Sequence, residues 1–364
     1  MLILGIESSC DETAAAVVCD GHQVLSSVIS SQIKLHSAYG GVIPELAARE
    51  HLKNVVPVVS TALREAAVTA SQLDGLAVTS HPGLIPALLV GNAFAKGLAA
   101  AAGLRIIGIN HFMGHFHGAF IDHPQLLQDR GSYPILGMVV SGGHTALVLL
   151  PADGRARIVG STMDDAAGEA LDKAAKILGL GYPGGPVIDR IAKTGDAHRY
   201  SFPHGLCGGG GKPVKPEHRF DFSFSGVKTA LLYAVKDRTL DDRELADVVA
   251  SYQAAVMDVL IDKALDAAQC HGARLICLCG GVACNSYLRS HLEDACRRQG
   301  RQLVLAAPKY CTDNAAMIAA LGCHFARRGW WDDMGMPVCA RLNDDLGVFP
   351  FAIDATGQRQ RGAS

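Results

Sequence analysis

Two histidines four residues apart in NHFMGHFHG, His111 and His115, open the chemical inventory of this 364-residue chain. On a helix that spacing projects both imidazoles from one face, where they could share one metal ion. The glutamate that follows the first histidine of HExxH is replaced by Phe112, so the residue that activates water in a zinc protease is missing. Two glycine-rich turns offer a second kind of chemistry. In VVSGGHT, Gly142 and Gly143 let backbone N–H groups approach an anion with no Cβ in the way, and Ser141 adds a hydroxyl donor. In CGGVACN, Gly280 and Gly281 stand between a strand and the start of a helix, which aims N–H groups at a phosphate or lets an adenosine lie on bare backbone. Asp11, Glu12, Asp172 and Asp189 complete the inventory. Asp172 lies on a helix and Asp189 follows the turn GYPGGP, and either suits a ribose hydroxyl.

The elements that must position these groups show an internal echo. Residues 3 to 18, ILGIESSCDETAAAVV, align without gaps on residues 135 to 150, ILGMVVSGGHTALVLL. Both copies read as strand, tight turn of small polar residues, and strand. Downstream, LAVTSHPG (Leu76 to Gly83) precedes a helix and a strand at Arg105 to Ile109, as LICLCGGV (Leu275 to Val282) precedes a helix and QLVLAAP. A duplicated unit of hairpin, helix, strand, helix and strand predicts two α/β lobes related by a pseudo-twofold axis, the actin, sugar kinase and Hsp70-like (ASKHA) architecture, with an active-site cleft between lobes. Placing Leu76 on Leu275 sets His111 and His115 opposite Tyr310 to Asn314. Two histidines from one lobe and Asp313 from the other would then form a three-ligand set with open positions, suited to Fe(II) or Zn(II).

The expected domains are 1–132 as N-terminal lobe, completed by a helix near 312–330, and 133–311 as C-terminal lobe with an inserted segment at 155–240. A Gly/Lys-rich loop, 207–219, and a polar tail, 351–364, lie outside the packed parts. Formal charge of -2 denies the chain the basic character that holds nucleic acid by counterion release alone, so a polynucleotide partner needs helper subunits. Eleven cysteines without a CxxC pair suit a reducing compartment. Glu7, Asp11 and Glu12 in the first dozen residues argue against a signal peptide, and Asn92, Lys96 and Arg105 interrupt the most apolar stretch, so the expected location is the cytoplasm.

IESSCDETAAAVV, NHFMGHFHG, VSGGHT, DDAAGEALDKAAKILGLGYPGGP, FDFSFSGVKTAL, GGVACN and CTDNAAMIAA occur in order from Leu4 to about Leu321. Together they resemble the signature segments of the TsaD family, the tRNA N6-adenosine threonylcarbamoyltransferases formerly described as O-sialoglycoprotein endopeptidases. The resemblance implies transfer of a threonylcarbamoyl group from threonylcarbamoyl-adenylate to the N6 amine of adenine 37 in tRNAs reading codons that begin with A, with release of AMP. It implies metal ligands at His111, His115 and Asp313, Fe(2+) favoured over Zn(2+), and nucleotide contacts at Val139, Val140, Ser141, Gly142, Gly143, Asp172, Gly185, Asp189 and Asn285. Asp11 or Glu12 would orient a metal-bound water or take the amine's proton. The implied partners are tRNA, TsaB through the first lobe, and TsaE, with TsaC supplying the adenylate. A metalloprotease reading rests on HxxxH alone. A sugar kinase reading meets a metal set held directly by side chains, where phosphotransferases of this fold hold Mg through water and phosphate.

Overall fold

The structure, a computed structural model, describes residues 1–206, 215–341 and 345–355. Of the Gly/Lys-rich loop, residues 207–214 therefore lie outside the described residues, as do 356–364 of the polar tail.

The chain begins with β1 (Leu2–Glu7), β2 (Glu12–Cys19) and β3 (Gln23–Ser31), followed by α1 (Ile33–Ser37), α2 (Pro44–Glu65), β4 (Gly75–His81), α3 (Ile85–Ala102), β5 (Arg105–Asn110), α4 (His111–Gly118) and α5 (Pro124–Gln128). The five strands form one sheet in the order β3-β2-β1-β4-β5, with β1, β4 and β5 parallel and β2 and β3 antiparallel beside them. Beyond their first or last residue β1, β4 and β5 are buried throughout, as strands covered by helices on both faces must be. Edge strand β3 instead mixes buried and exposed positions. Helix α3, long and apolar enough to cross a membrane, buries Ala95 and Ala99 in the same core as Val55 and Val59 of α2.

The second stretch supplies β6 (Ile135–Val140), β7 (Thr145–Leu150), β8 (Arg155–Ser161), α6 (Ala167–Ile177), α7 (Gly184–Ala192), α8 (Ser225–Val235), α9 (Asp242–Cys270), β9 (Leu275–Cys279), α10 (Ser286–Arg298) and β10 (Gln302–Leu305). Then follow α11 (Pro308–Cys311), α12 (Ala315–Arg327) and β11 (Asp345–Val348). The second sheet runs β10-β9-β6-β7-β8-β11. Apart from β11 this is the order of the first sheet, so the duplication legible in the sequence is a duplication of topology.

The register of the repeat differs from the expected one by one residue. Ile3 lies opposite Gly75 and Ile135 opposite Leu275, so with Ile3 equivalent to Ile135 the equivalent of Leu275 is Gly75, not Leu76. Both strands are buried on both faces, so neither carries the alternation of apolar and polar residues that would have fixed the register in the sequence.

Two compact units result. The first comprises Met1–Arg130, Leu150–Arg157 and the described chain from Lys309, and the second Gly131–Leu149 with the described parts of Ile158–Pro308. Asp313 therefore belongs to the same unit as His111 and His115, and not to the opposite lobe as the offset of the repeat suggested. The reason is α12, whose Ala315, Ala316, Ala319 and Ala320 are fully buried and let it lie closely on β1, β2 and β4 of the first sheet. The inserted segment is also packed. Phe222 and Phe224 stack in the core, while the Asp164 carboxylate accepts from Ser223 Oγ and the Phe224 N–H. No disulfide joins any two of the ten described cysteines.

Candidate functional site

The histidine pair is held by the strand-to-helix step from β5 into α4. Asn110 caps α4, its Oδ1 accepting from Phe112 N at 2.8 Å and Met113 N at 3.1 Å, and every residue of the helix is buried. Asp313 immediately precedes Asn314, which caps α12 by accepting from Met317 N at 3.0 Å. Two capped helix starts thus converge. His115 Nε2 lies 3.0 Å from Asp313 Oδ1 and His111 Nε2 lies 3.4 Å from the same oxygen. The donor atoms of all three residues lie within 4.8 Å of one another. Two ligands on one tetrahedral metal, with bonds near 2.0–2.1 Å, stand about 3.3 Å apart, so this donor set fits a divalent cation.

Behind the pair sits Glu7 at the end of β1, fully buried. Its Oε2 lies 2.9 Å from His111 Nδ1 and accepts from Thr79 Oγ1 at 2.6 Å, while Oε1 accepts from Ser9 N at 2.5 Å. Ser9 Oγ is 3.2 Å from the same Nδ1. Burial opposes charge on Glu7, yet the adjacent His111 outweighs it and holds the carboxyl below its ordinary range. Burial opposes charge on His111 as well, and there Asp313 and then Glu7 prevail, raising its pKa well above the ordinary imidazole value. Asp313 is lowered, against burial, by His111 and His115. A cation bound by Nε2 of His111 would take the place of a proton there. In the sequence Glu7 and Thr79 carry no role at this site, and Ser9 reads only as one of the small polar residues of the turn that echoes Ser141. The available signal was an acid ending an otherwise apolar strand, LILGIE.

Asp11 ends the turn after β1 and Glu12 opens β2, on the same unit. Asp11 is buried and its carbonyl accepts from Gln32 N at 3.0 Å. Glu12 Oε1 accepts from Ser31 Oγ at 3.0 Å. Its carboxyl is pushed up to about 9, first by burial and then by the negative charges of Asp313 and Asp11. At neutral pH it is a proton donor until positive charge arrives next to it.

The nucleotide candidates all lie in the second unit. β6 and β9 run parallel, with Val139 opposite Cys279, so the turns that follow them leave the same edge of the sheet side by side. Gly280, at φ +93°, permits this, since a Cβ there would stand 2.3 Å from the Val140 carbonyl oxygen. The serine turn closes on itself, Ser141 N donating to His144 O at 2.7 Å and His144 N to Ser141 Oγ at 3.1 Å. Gly142 and Gly143 are exposed, and their α-carbons, like that of Gly281, face open space. Val139 and Val140 have fully buried side chains and can offer a ligand only backbone.

The neighbouring helix starts brace this edge and are already engaged. At α6, Gly168 N donates to Ser141 O at 3.2 Å and Ala167 N to Thr145 Oγ1 at 2.8 Å. Gly168 is a residue to which the sequence gave no role. A Cβ on it would stand 2.6 Å from Ser141 O and 2.9 Å from Gly142 N, so only glycine lets the helix approach the turn. Asp172 Oδ1 accepts from Gly184 N at 2.7 Å, next to Gly185 at the start of α7. Asp189 Oδ1 accepts from Ser286 N at 3.0 Å and Ser286 Oγ at 2.8 Å, joining α7 to α10. Asn285 caps α10 through Leu288 N at 3.0 Å and donates to Gln253 Oε1 at 2.8 Å. Asn285 is thereby committed to structure on both ends of its amide, and Asp189 on both oxygens, its Oδ2 lying 3.8 Å from Lys193 Nζ.

Comparison with known proteins follows the same division. The family model described as TsaD, tRNA N6-adenosine threonylcarbamoyltransferase, matches residues 23–320. The threonylcarbamoyltransferase of Geobacter sulfurreducens is 47% identical over 344 residues, 94% of this chain and 96% of that protein. The one from an Anaeromyxobacter species is 49% identical over 331 residues, covering 90% and 96%. Among solved structures, full-length HypF is similar with a TM-score of 0.57 at 13% identity, over 91% of this chain and 47% of that one. Component A of (R)-2-hydroxyglutaryl-CoA dehydratase from Acidaminococcus fermentans is similar with a TM-score of 0.50 at 14% identity, over 88% and 96%. At such identities these two speak for the fold alone, the duplicated ASKHA architecture. With the relatives matching across nearly its whole length, the chain belongs to the tRNA N6-adenosine threonylcarbamoyltransferase family.

Proposed function

We propose that the protein transfers the threonylcarbamoyl group of threonylcarbamoyl-adenylate to the N6 amine of adenine 37 in tRNAs that read codons beginning with A. The amine nitrogen bonds to the carbamoyl carbon, the bond from that carbon to the phosphate oxygen breaks, AMP leaves with the electron pair, and the amine gives up a proton. Family membership across nearly the whole chain carries this reading. An aryl amine is a weak nucleophile, but the adenylate brings its own leaving group, so the protein's work is positioning and charge stabilisation. The open backbone of Gly142, Gly143 and Gly281 supports phosphate and adenosine binding, with ribose hydroxyls on Asp172 and Asp189. His111, His115 and Asp313 would hold one divalent cation, Fe(2+) in preference to Zn(2+), which would supply Lewis acidity. Asp11 and Glu12 belong to the same unit as that set, and either could receive the amine's proton.

The first unit also supports the partner reading. Leu52 and Val56 on α2 and Ile85 and Leu89 on α3 are exposed i,i+4 apolar pairs on helices that pack together, a surface that suits TsaB. TsaE and TsaC complete the cycle, in the cytoplasm. The test is a transfer assay with carbonyl-labelled threonylcarbamoyl-adenylate and unmodified tRNA. Label should enter the tRNA only with the partners present and not enter a tRNA carrying guanine at position 37. No transfer with all partners supplied would sink the reading.

A further inference from the structure

The two histidines are not equivalent. Nδ1 of His115 is buried without a hydrogen-bond partner among the described residues, whereas Nδ1 of His111 faces Glu7 at 2.9 Å. Glu7 is itself over-determined. Ser9 N–H points at one carboxylate oxygen, and the Thr79 hydroxyl and His111 share the other. The set of donor atoms that could share a cation is His111, His115 and Asp313, and does not include Glu7. Its position behind the ring is that of the carboxylate that holds a metal-bound imidazole in one tautomer.

We propose that Glu7 is the positioning residue of the cation site, keeping the His111 proton on Nδ1 so that the Nε2 lone pair faces His115 and Asp313. The inference rests on the cation reading above and adds what sets the tautomer. The three donors around the carboxylate say why an acid is required. In Glu7→Gln the amide NH2 must replace one acceptor oxygen. Placed against Ser9 N–H it would oppose two donors 2.5 Å apart. Placed against His111 and Thr79 it meets a hydroxyl that can rotate and a ring nitrogen that can accept, and the imidazole proton then moves to Nε2, on the cation side. The side chain keeps its shape and the site loses a ligand.

Zn(2+) affinity of the full-length protein, measured by competition with a chromophoric chelator, tests this. Glu7→Gln should bind roughly 10–100-fold more weakly than the parent. Val55→Ala, which opens a cavity in the first unit's core far along α2, should melt earlier yet keep the parent's affinity. Parent-like affinity in Glu7→Gln, or an equal loss in Val55→Ala, overturns the proposal. A parent that binds Zn(2+) no better than His115→Ala overturns the cation reading itself, a distinguishable failure. Should Glu7→Gln not fold, nitrogen-15 spectra of the Zn-loaded parent, with His111 assigned from a His111→Asn variant, decide. A proton on Nδ1 and none on Nε2 is expected, and the reverse would refute the assignment.

Discussion

An alanine at position 168 sets two effects of opposite sign against each other. Gly168 lies in the first turn of α6, and helix propensity alone makes Gly→Ala stabilising by up to about 1 kcal/mol. The new methyl, however, would lie 2.6 Å from Ser141 O and 2.8 Å from Gly142 Cα. Ordinary contact begins at 3.4 Å, so helix or turn must retreat by 0.8 Å, the difference between 3.4 and 2.6. The 3.2 Å bond from Gly168 N to Ser141 O would then open. Forced overpacking of this kind costs about 1–3 kcal/mol, so sterics win and the variant should be less stable by about 0–2 kcal/mol. The same shift moves the N–H groups of Gly142 and Gly143, and one lost hydrogen bond to a charged phosphate is worth about 1.5–3 kcal/mol. Calorimetric titration with AMP should therefore show affinity reduced roughly 10- to 100-fold, with unfolding followed in parallel. Gly226→Ala, in the first turn of α8 with open space around it, is the control and should gain stability. If Gly168→Ala also gains stability and binds AMP like the parent, the serine turn is not the phosphate cradle.

Asp172→Ala should weaken adenylate binding by about 1–3 kcal/mol while metal content stays at the parent level, because Asp172 and Asp313 belong to different compact units. Loss of both together would signal unfolding instead. His115→Ala should lose most of its metal by elemental analysis, since two remaining ligands bind far less tightly than three, and full occupancy would end the three-ligand reading. Between pH 6.5 and 5 the parent should lose stability relative to His324→Gln, a comparison in which the opposite contribution of Glu12, raised to about 9, cancels. Burial, then Arg327, Arg328 and His22, pushes His324 down to about 4, and burial with the His324 charge holds His117 well below its ordinary value. A folded pKa below the unfolded one gives stability that is complete above pH 6.5 and lost as pH falls toward 4, up to about 2 kcal/mol for His324 across this window. His111, with its raised pKa, keeps its contribution constant there. Urea unfolding of the parent and of His324→Gln at the two pH values measures it, and equal slopes would refute the assignment. Leu52→Asp with Val56→Asp should abolish association with TsaB in sedimentation while metal content stays unchanged, and retained association would place the interface elsewhere.

The sequence by itself determined the duplication, because short strands, turns and helix starts are local features and both copies keep them. It marked the candidate residues for a related reason. Histidines at i and i+4, glycines after strands and an aspartate before a capped helix are each readable within a few residues. What it misassigned was long-range. The pairing of β1 with β4 slipped by one residue because strands buried on both faces carry no alternating pattern, and Asp313 was assigned across the repeat when the chain at Pro308 returns to the first unit. The helix expected near 312–330 already stood with the first lobe, so it was the repeat offset alone that set Asp313 opposite; the alanine face of α12 packs on β1 and β4. Only the tertiary structure brings Glu7 to His111 and Gly168 to Ser141. A buried acid and a helical glycine have function solely through what stands 3 Å away, and their partners, His111 and Ser141, lie far off along the chain.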